Sequence, residues 1–171
     1  YHNRGFAYLG NNALLEGNKV AVYNYSSNSN ENDDDWRGRT SSCIYGYGQV
    51  TSTNDTLITA KNTGGIHAVD LNMSGTIISN SSSSHTDYNK GAYASGSLSM
   101  DNVTITGMRY PVYFTGTSGT IKNSTLVSLG DDGITATNAD AGLNIERVTI
   151  IGPGSGTGIN MSADGTTLNM N

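Results

Sequence analysis

Asp131 and Asp132 stand side by side between glycines in the stretch GDDGI (130–134). Paired carboxylates can supply the acid and the base of a glycosidase, which in the inverting case lie about 6.5–9.5 Å apart. Neighbouring residues of an extended strand point to opposite faces, so this doublet alone does not make that pair. A third carboxylate from an adjacent turn of chain would be needed, and the nearest acids, Asp101, Asp140 and Glu146, fall at other positions of the repeat described below. The same residues also read as a corner, with the Asp132 side chain capping nearby backbone N–H groups and Gly133 relieving the turn. Catalytic Asp131 and Asp132 and a structural corner are both compatible with the residues.

A second constellation is NDDDWRGR (32–39). Trp36 with Arg37 could stack on a sugar ring, with Asp34 and Asp35 beside it, which makes these four the ligand-binding candidates. Asp33–Asp35 lack the alternate spacing and the turn glycine of a calcium loop, and a solvated loop explains the run equally well. Tyr23, Tyr25, Tyr45, Tyr47, Tyr110 and Tyr113 indicate either a sugar- or protein-facing surface or packing over the first coils. His2, His67 and His85 have no metal-ligand spacing, and no phosphate loop, dinucleotide fingerprint or nucleophile elbow occurs. No metal and no cofactor is expected.

The elements that must position these residues are short strands. Gly, Ser, Thr and Asn make up about half of the chain, while only 13% of residues are charged. That composition does not suit helices, and a net charge of −5 with recurrent Val, Ile, Thr and Tyr does not suit disorder. The acidic balance argues against nucleic acid, and no apolar run approaches a membrane span. Cys43 is alone, so no internal disulfide forms. Seven Asn-x-Ser/Thr sequons are about what composition produces by chance. The absence of an initiating Met and a C-terminus inside a repeat-like stretch predict a segment of a longer, processed protein.

Three stretches repeat in step. NVTITGM (102–108), NSTLVSL (123–129) and RVTIIGP (147–153) align on Ile105, Leu126 and Ile150, at steps of 21 and 24. A second set aligns on Val112, Ile134 and Ile159, and a third on Leu98, Ile121, Leu143 and Leu168. DTLITA (55–60), GGIHAV (64–69) and MSGTIISN (73–80) extend the pattern backward, with a loop insertion at 81–91. Residues 1–50 phase less well and contain an exposed loop at 28–39. Three strands per interval of about 23 residues predict an all-β fold, a right-handed single-stranded parallel β-helix forming one unit over 1–171. A β-sandwich is the rival, but it predicts hairpins without a fixed period.

Over roughly residues 51–171 the rung pattern resembles the pectin-lyase-like β-helix superfamily, most of all the passenger domains of autotransporter adhesins. Polygalacturonase-type members carry an Asp-Asp motif that GDDGI matches. The resemblance also implies a Gly-His-Gly motif near GSGTGIN (154–160), which has no histidine, and an Asn-Thr-Asp motif near MRYPVYF (108–114), which has no carboxylate. The expected role is therefore a non-enzymatic extracellular or cell-surface stalk or adhesin. Its expected partners are a glycan or host-surface ligand and further copies of itself, by self-association along one face or stacking of rod ends. The alternative is a polysaccharide-cleaving hydrolase or lyase, or a degenerate relative; a phage receptor-binding fibre is the third class.

Overall fold

A computed structural model describes residues 2–3, 6–9, 14–17, 22–24, 42–46, 49–53, 56–60, 64–80, 90–130, 132–138 and 140–171, with the backbone alone described before residue 49 and at Ala60. The described residues contain strands and turns and no helix.

The strands form three parallel sheets. The eight-stranded sheet holds, in spatial order, β1 (His2–Asn3), β4 (Val22–Asn24), β5 (Ser42–Gly46), β8 (Gly64–Ala68), β11 (Lys90–Ala94), β14 (Tyr110–Phe114), β17 (Ile134–Ala136) and β20 (Ile159–Met161). The seven-stranded sheet holds β2 (Phe6–Leu9), β6 (Gln49–Ser52), β9 (Asp70–Ser74), β12 (Ser97–Asp101), β15 (Ser118–Lys122), β18 (Gly142–Glu146) and β21 (Thr167–Met170). The six-stranded sheet holds β3 (Leu14–Gly17), β7 (Thr56–Ala60), β10 (Thr76–Asn80), β13 (Thr104–Met108), β16 (Thr125–Ser128) and β19 (Thr149–Ile151). From β5 onward the chain visits the three sheets in constant order. It is a parallel β-solenoid of about 24 residues per turn, and each strand's backbone groups pair with the strands one turn away.

The core is a set of columns. Ile58, Ile78, Ile105 and Leu126 lie over one another on the six-stranded sheet, each fully buried, and Ile150 continues them. Val112, Ile134 and Ile159 likewise align, as their spacing predicts. In the third set Leu98, Leu143 and Leu168 share one column through Gly119, as aligned, but Ile121 does not. Leu98 lies opposite Gly119, and Ile121 lies opposite Met100 and Ile145. The cause is Phe114. A Cβ on Gly119 would come within 2.4 Å of Leu143 Cδ2 and 3.6 Å of the Phe114 ring, so the ring and Leu143 fill that layer and the stack position is a glycine. A slip of two residues keeps the inward face, so hydrophobic pattern alone does not detect it.

Two corners explain most of the remaining sequence. Between the seven- and six-stranded sheets, Gly75, Asn102, Asn123 and Arg147 take φ of 55, 55, 48 and 51°, the left-handed region that Gly and Asn enter most easily. The corner is itself a ladder, with Asn123 Nδ2 donating to Asp101 Oδ1 at 2.7 Å and Arg147 Nε donating to Asn123 Oδ1 at 2.7 Å. Between the six- and eight-stranded sheets a different column runs through Gly65, Gly91, Pro111, Gly133 and Gly158. A Cβ at Gly65, Gly91 or Gly133 would lie 2.6, 2.4 or 2.2 Å from Ile78, Ile105 or Ile150. At these three rungs glycine is required for close approach.

Several local readings change. Lys90 and Gly91 open β11 instead of closing the loop insertion, and β9 is a strand that the repeats did not single out. Residues 28–39 and 81–89 lie outside the described residues. Near the N-terminus, β4 lies between β1 and β5, whereas β2 and β3 pair directly with β6 and β7. The eight-stranded sheet thus gains a strand there that the other two lack.

Candidate functional site

The tight corner column sets what the eight-stranded sheet shows to solvent. Five of its strands, β8, β11, β14, β17 and β20, carry a four-residue unit, GIHA (65–68), GAYA (91–94), PVYF (111–114), GITA (133–136) and GINM (158–161). The second and fourth residues enter the core: Ile66, Ala68, Ala92, Ala94, Val112, Phe114, Ile134 and Ala136 are all fully buried. The third residue therefore points outward. Register aligns these third residues as His67, Tyr93, Tyr113, Thr135 and Asn160. At the backbone level the same register runs back through Tyr45, Tyr23 and His2. A second column lies just before the units, with Lys90 opposite Tyr110 and Asp132 next in step, two residues before Ile134.

The upper rungs carry rings. The Tyr93 ring stacks on Tyr113 at 5.7 Å and 16°, His67 leans on Tyr93 at 3.9 Å, and Tyr110 meets Tyr113 edge-on at 5.8 Å. The Lys90 ammonium lies 4.3 Å from the Tyr113 ring centre and 5.4 Å from that of Tyr93, and the Arg109 guanidinium lies 5.3 Å from that of Tyr110. All of these side chains are half-buried. Burial between its neighbours, with the Lys90 charge adding to it, lowers the His67 pKa from 6.5 to about 3, so the imidazole is neutral at physiological pH.

The lower rungs carry hydrogen bonds. Asp132 is buried, and its carboxylate accepts from the Thr157 backbone N–H at 3.0 Å, the Asn160 amide at 2.7 Å and the Thr135 hydroxyl at 3.1 Å. Thr157 and Asn160 belong to GSGTGIN, where the family resemblance places Gly-His-Gly. The carboxylate ties one turn of the solenoid to the next. Beside it opens a cleft of about 160 Å³ whose walls are Ile150, Thr157 and glycines 133, 152, 154, 156 and 158.

The other acids lie elsewhere. Asp101 and Glu146 end β12 and β18 at the opposite corner, where Asp101 accepts from Asn123 and Glu146 pairs with Lys122 and Arg147. Asp140 is exposed in the turn between β17 and β18. The structure does not bring any of these three to Asp132. Asp131, Asp33–Asp35, Trp36 and Arg37 lie outside the described residues, as do Tyr25, Tyr47 and His85. Among the described residues no group of three His, Cys, Asp or Glu could hold a metal ion.

Sequence reading singled out Tyr110 and Tyr113 but missed Tyr93, His67 and Lys90 as members of one face. The four-residue unit at the tight corner was the available signal, because its third position repeats with the strands. Compared with known protein families, curated proteins and solved structures, the chain gives no match.

Proposed function

We propose that this chain is a non-enzymatic, extracellular or cell-surface segment of a larger protein. It is an adhesive stalk in the manner of autotransporter passenger domains, and the outer face of its eight-stranded sheet contacts glycans. The observation that carries this reading is the ring column of His67, Tyr93 and Tyr113, flanked by Tyr110 and the Lys90 ammonium. Tyr rings lose little conformational entropy on binding and combine apolar edges with a phenolic hydroxyl. Because Tyr93 and Tyr113 stack face to face and the Tyr93 hydroxyl bonds the Thr115 hydroxyl at 3.3 Å, the column presents ring edges and the Tyr113 hydroxyl beside the Lys90 ammonium, a chemistry that sugar hydroxyls and carboxylates match. A stiff parallel core holds these groups in fixed register without a ligand, which lowers the ordering cost of binding.

Binding to immobilised acidic and neutral glycans tests the reading. The expected result is preference for acidic glycans, reduced at least tenfold by Tyr113→Ala and by Lys90→Met. Undiminished binding by both variants would exclude this face.

A second reading, a polysaccharide-cleaving hydrolase or lyase or its degenerate relative, is favoured by one observation: Asp132 lies one rung from Tyr110 on the same face. Its test is release of reducing or unsaturated sugar ends by the unmodified chain and its loss in Asp132→Asn.

A further inference from the structure

β13 breaks its ladder with β16 once. Thr106 lies opposite Val127, but the next pair is Met108 with Ser128, so Gly107 is an extra residue, a β-bulge. Its φ is +74°, and a Cβ there would lie 2.6 Å from the Asn80 carbonyl oxygen, so the position requires glycine. Simple alternation from the buried Ile105 would turn Met108 outward. The bulge instead returns Met108 to the core, where it is fully buried, and turns Arg109 toward the tyrosine face. Two contacts from the next turn then hold Arg109. The Ser128 hydroxyl donates to its carbonyl at 2.9 Å. Gly130 leaves room for its stem, since a Cβ there would lie 2.5 Å from Arg109 Cγ and 3.3 Å from Arg109 Cα.

We infer that Arg109 is the residue of this face that selects acidic glycans, and that Gly107, Ser128 and Gly130 are positioning residues that aim it. The Arg109 guanidinium lies 5.3 Å from the Tyr110 ring centre. Tyr110 meets Tyr113 edge-on, and the Lys90 ammonium lies 4.3 Å from the Tyr113 ring centre. The two cations thus flank one tyrosine pair. They are not equivalent. An ammonium is a hydrated point charge on a flexible stem, which attracts an anion without fixing its direction. A guanidinium is a planar fork that takes a carboxylate or a sulfate in two parallel N–H···O bonds, so its orientation decides which ligands fit. A bulge, a backbone clamp and a glycine-lined bed all converge on that orientation. This inference rests on the glycan reading of the face and adds the residue that sets its preference for acid groups.

Immobilised carboxymethyl-dextran, dextran sulfate and plain dextran test it, because they share one sugar backbone and differ in charge. The unmodified chain is expected to bind at least one charged form more tightly than plain dextran, and the better of the two identifies the acid that the fork takes. Arg109→Gln lowers affinity for that form about tenfold, the value of a charge-assisted pair, and leaves affinity for plain dextran unchanged. Arg109→Lys keeps the charge without the fork and restores only part of the loss. Gly130→Ala keeps the arginine but displaces its stem, and lowers the ratio of acidic to neutral binding as Arg109→Gln does; circular dichroism checks that each variant folds. Undiminished acidic binding by Arg109→Gln, with Tyr113→Ala and Lys90→Met still impaired, overturns this inference and leaves the glycan reading in place. Full affinity in Arg109→Lys overturns the role of the fork. Binding to none of the three polymers by the unmodified chain overturns both readings.

Discussion

Two stretches of one surface, separated by a single turn of the solenoid, are built from the same four-residue unit and behave differently. On β8, β11 and β14 the outward positions hold His67, Tyr93 and Tyr113, which touch one another and the Lys90 ammonium. On β17 and β20 the equivalent positions hold Thr135 and Asn160, which turn their polar groups onto Asp132. The lower stretch turns its polar groups onto one carboxylate, while the upper one packs half-buried rings on one another and on a cation, with the Tyr93 hydroxyl on Thr115. The backbone beneath both is the same, so the difference lies in side-chain chemistry: a parallel sheet offers each rung an identical site, and the residue placed there decides whether it binds inward or outward.

The largest test of that contrast is Asp132→Ala. It leaves the Thr157 N–H and the Asn160 and Thr135 donors without their acceptor, and hydrogen bonds to a charged group contribute about 1.5–3 kcal/mol each before relaxation and water recover part of it. The expected loss is about 3 kcal/mol in denaturant unfolding, with Asp132→Asn costing less. An equal loss from Tyr113→Ala would erase the distinction between a bonded half and a presenting half.

Within the upper half, Tyr93→Leu and Tyr113→Leu in a double-mutant cycle are expected to show a coupling of about 1 kcal/mol, the value of a stacked aromatic pair beyond its area. Additive effects would mean that the rings only share a surface.

The pH dependence isolates the upper half as well. His67 stays neutral in the fold down to about pH 3, whereas the unfolded chain takes up a proton near 6.5. Below about 6.5 the unfolded state therefore binds the extra proton, and stability falls as pH drops toward 3. Unfolding midpoints between pH 7 and 5, above most carboxylate titration, are expected to decline in the unmodified chain and to decline less in His67→Phe.

The smallest effect is that of Lys90→Met. Loss of the ammonium from the Tyr113 ring costs under about 1 kcal/mol. The His67 pKa moves back up, because one of the two causes lowering it is gone. NMR titration of the imidazole reads that shift directly.

The unequal legibility of this fold has a physical origin. Strand existence was readable at Ile105, Leu126 and Ile150, because an inward column must repeat apolar residues at the length of a turn. Register was not readable at Ile121, which lies two residues off the column of Leu98 and Leu143 because the Phe114 ring and Leu143 fill the layer that Gly119 leaves open. The corner role of Asp132 was one of two readings of GDDGI. Its donors at Thr157 and Asn160 lie one turn further along the chain, beyond the reach of any local motif. The face formed by His67, Tyr93 and Tyr113 was hidden for the same reason, with Lys90 assigned to a loop.

Composition and period pointed to short parallel strands around a narrow apolar interior, since three sets of apolar residues advancing together at one interval fit stacked turns better than the hairpins of a sandwich. Tertiary structure decided which residues twenty to twenty-seven positions apart lie side by side. Backbone hydrogen bonds are indifferent to side-chain identity and accept several registers, and the volume of Phe114, the closeness of Gly91 to Ile105 and the three donors around Asp132 select the one that forms.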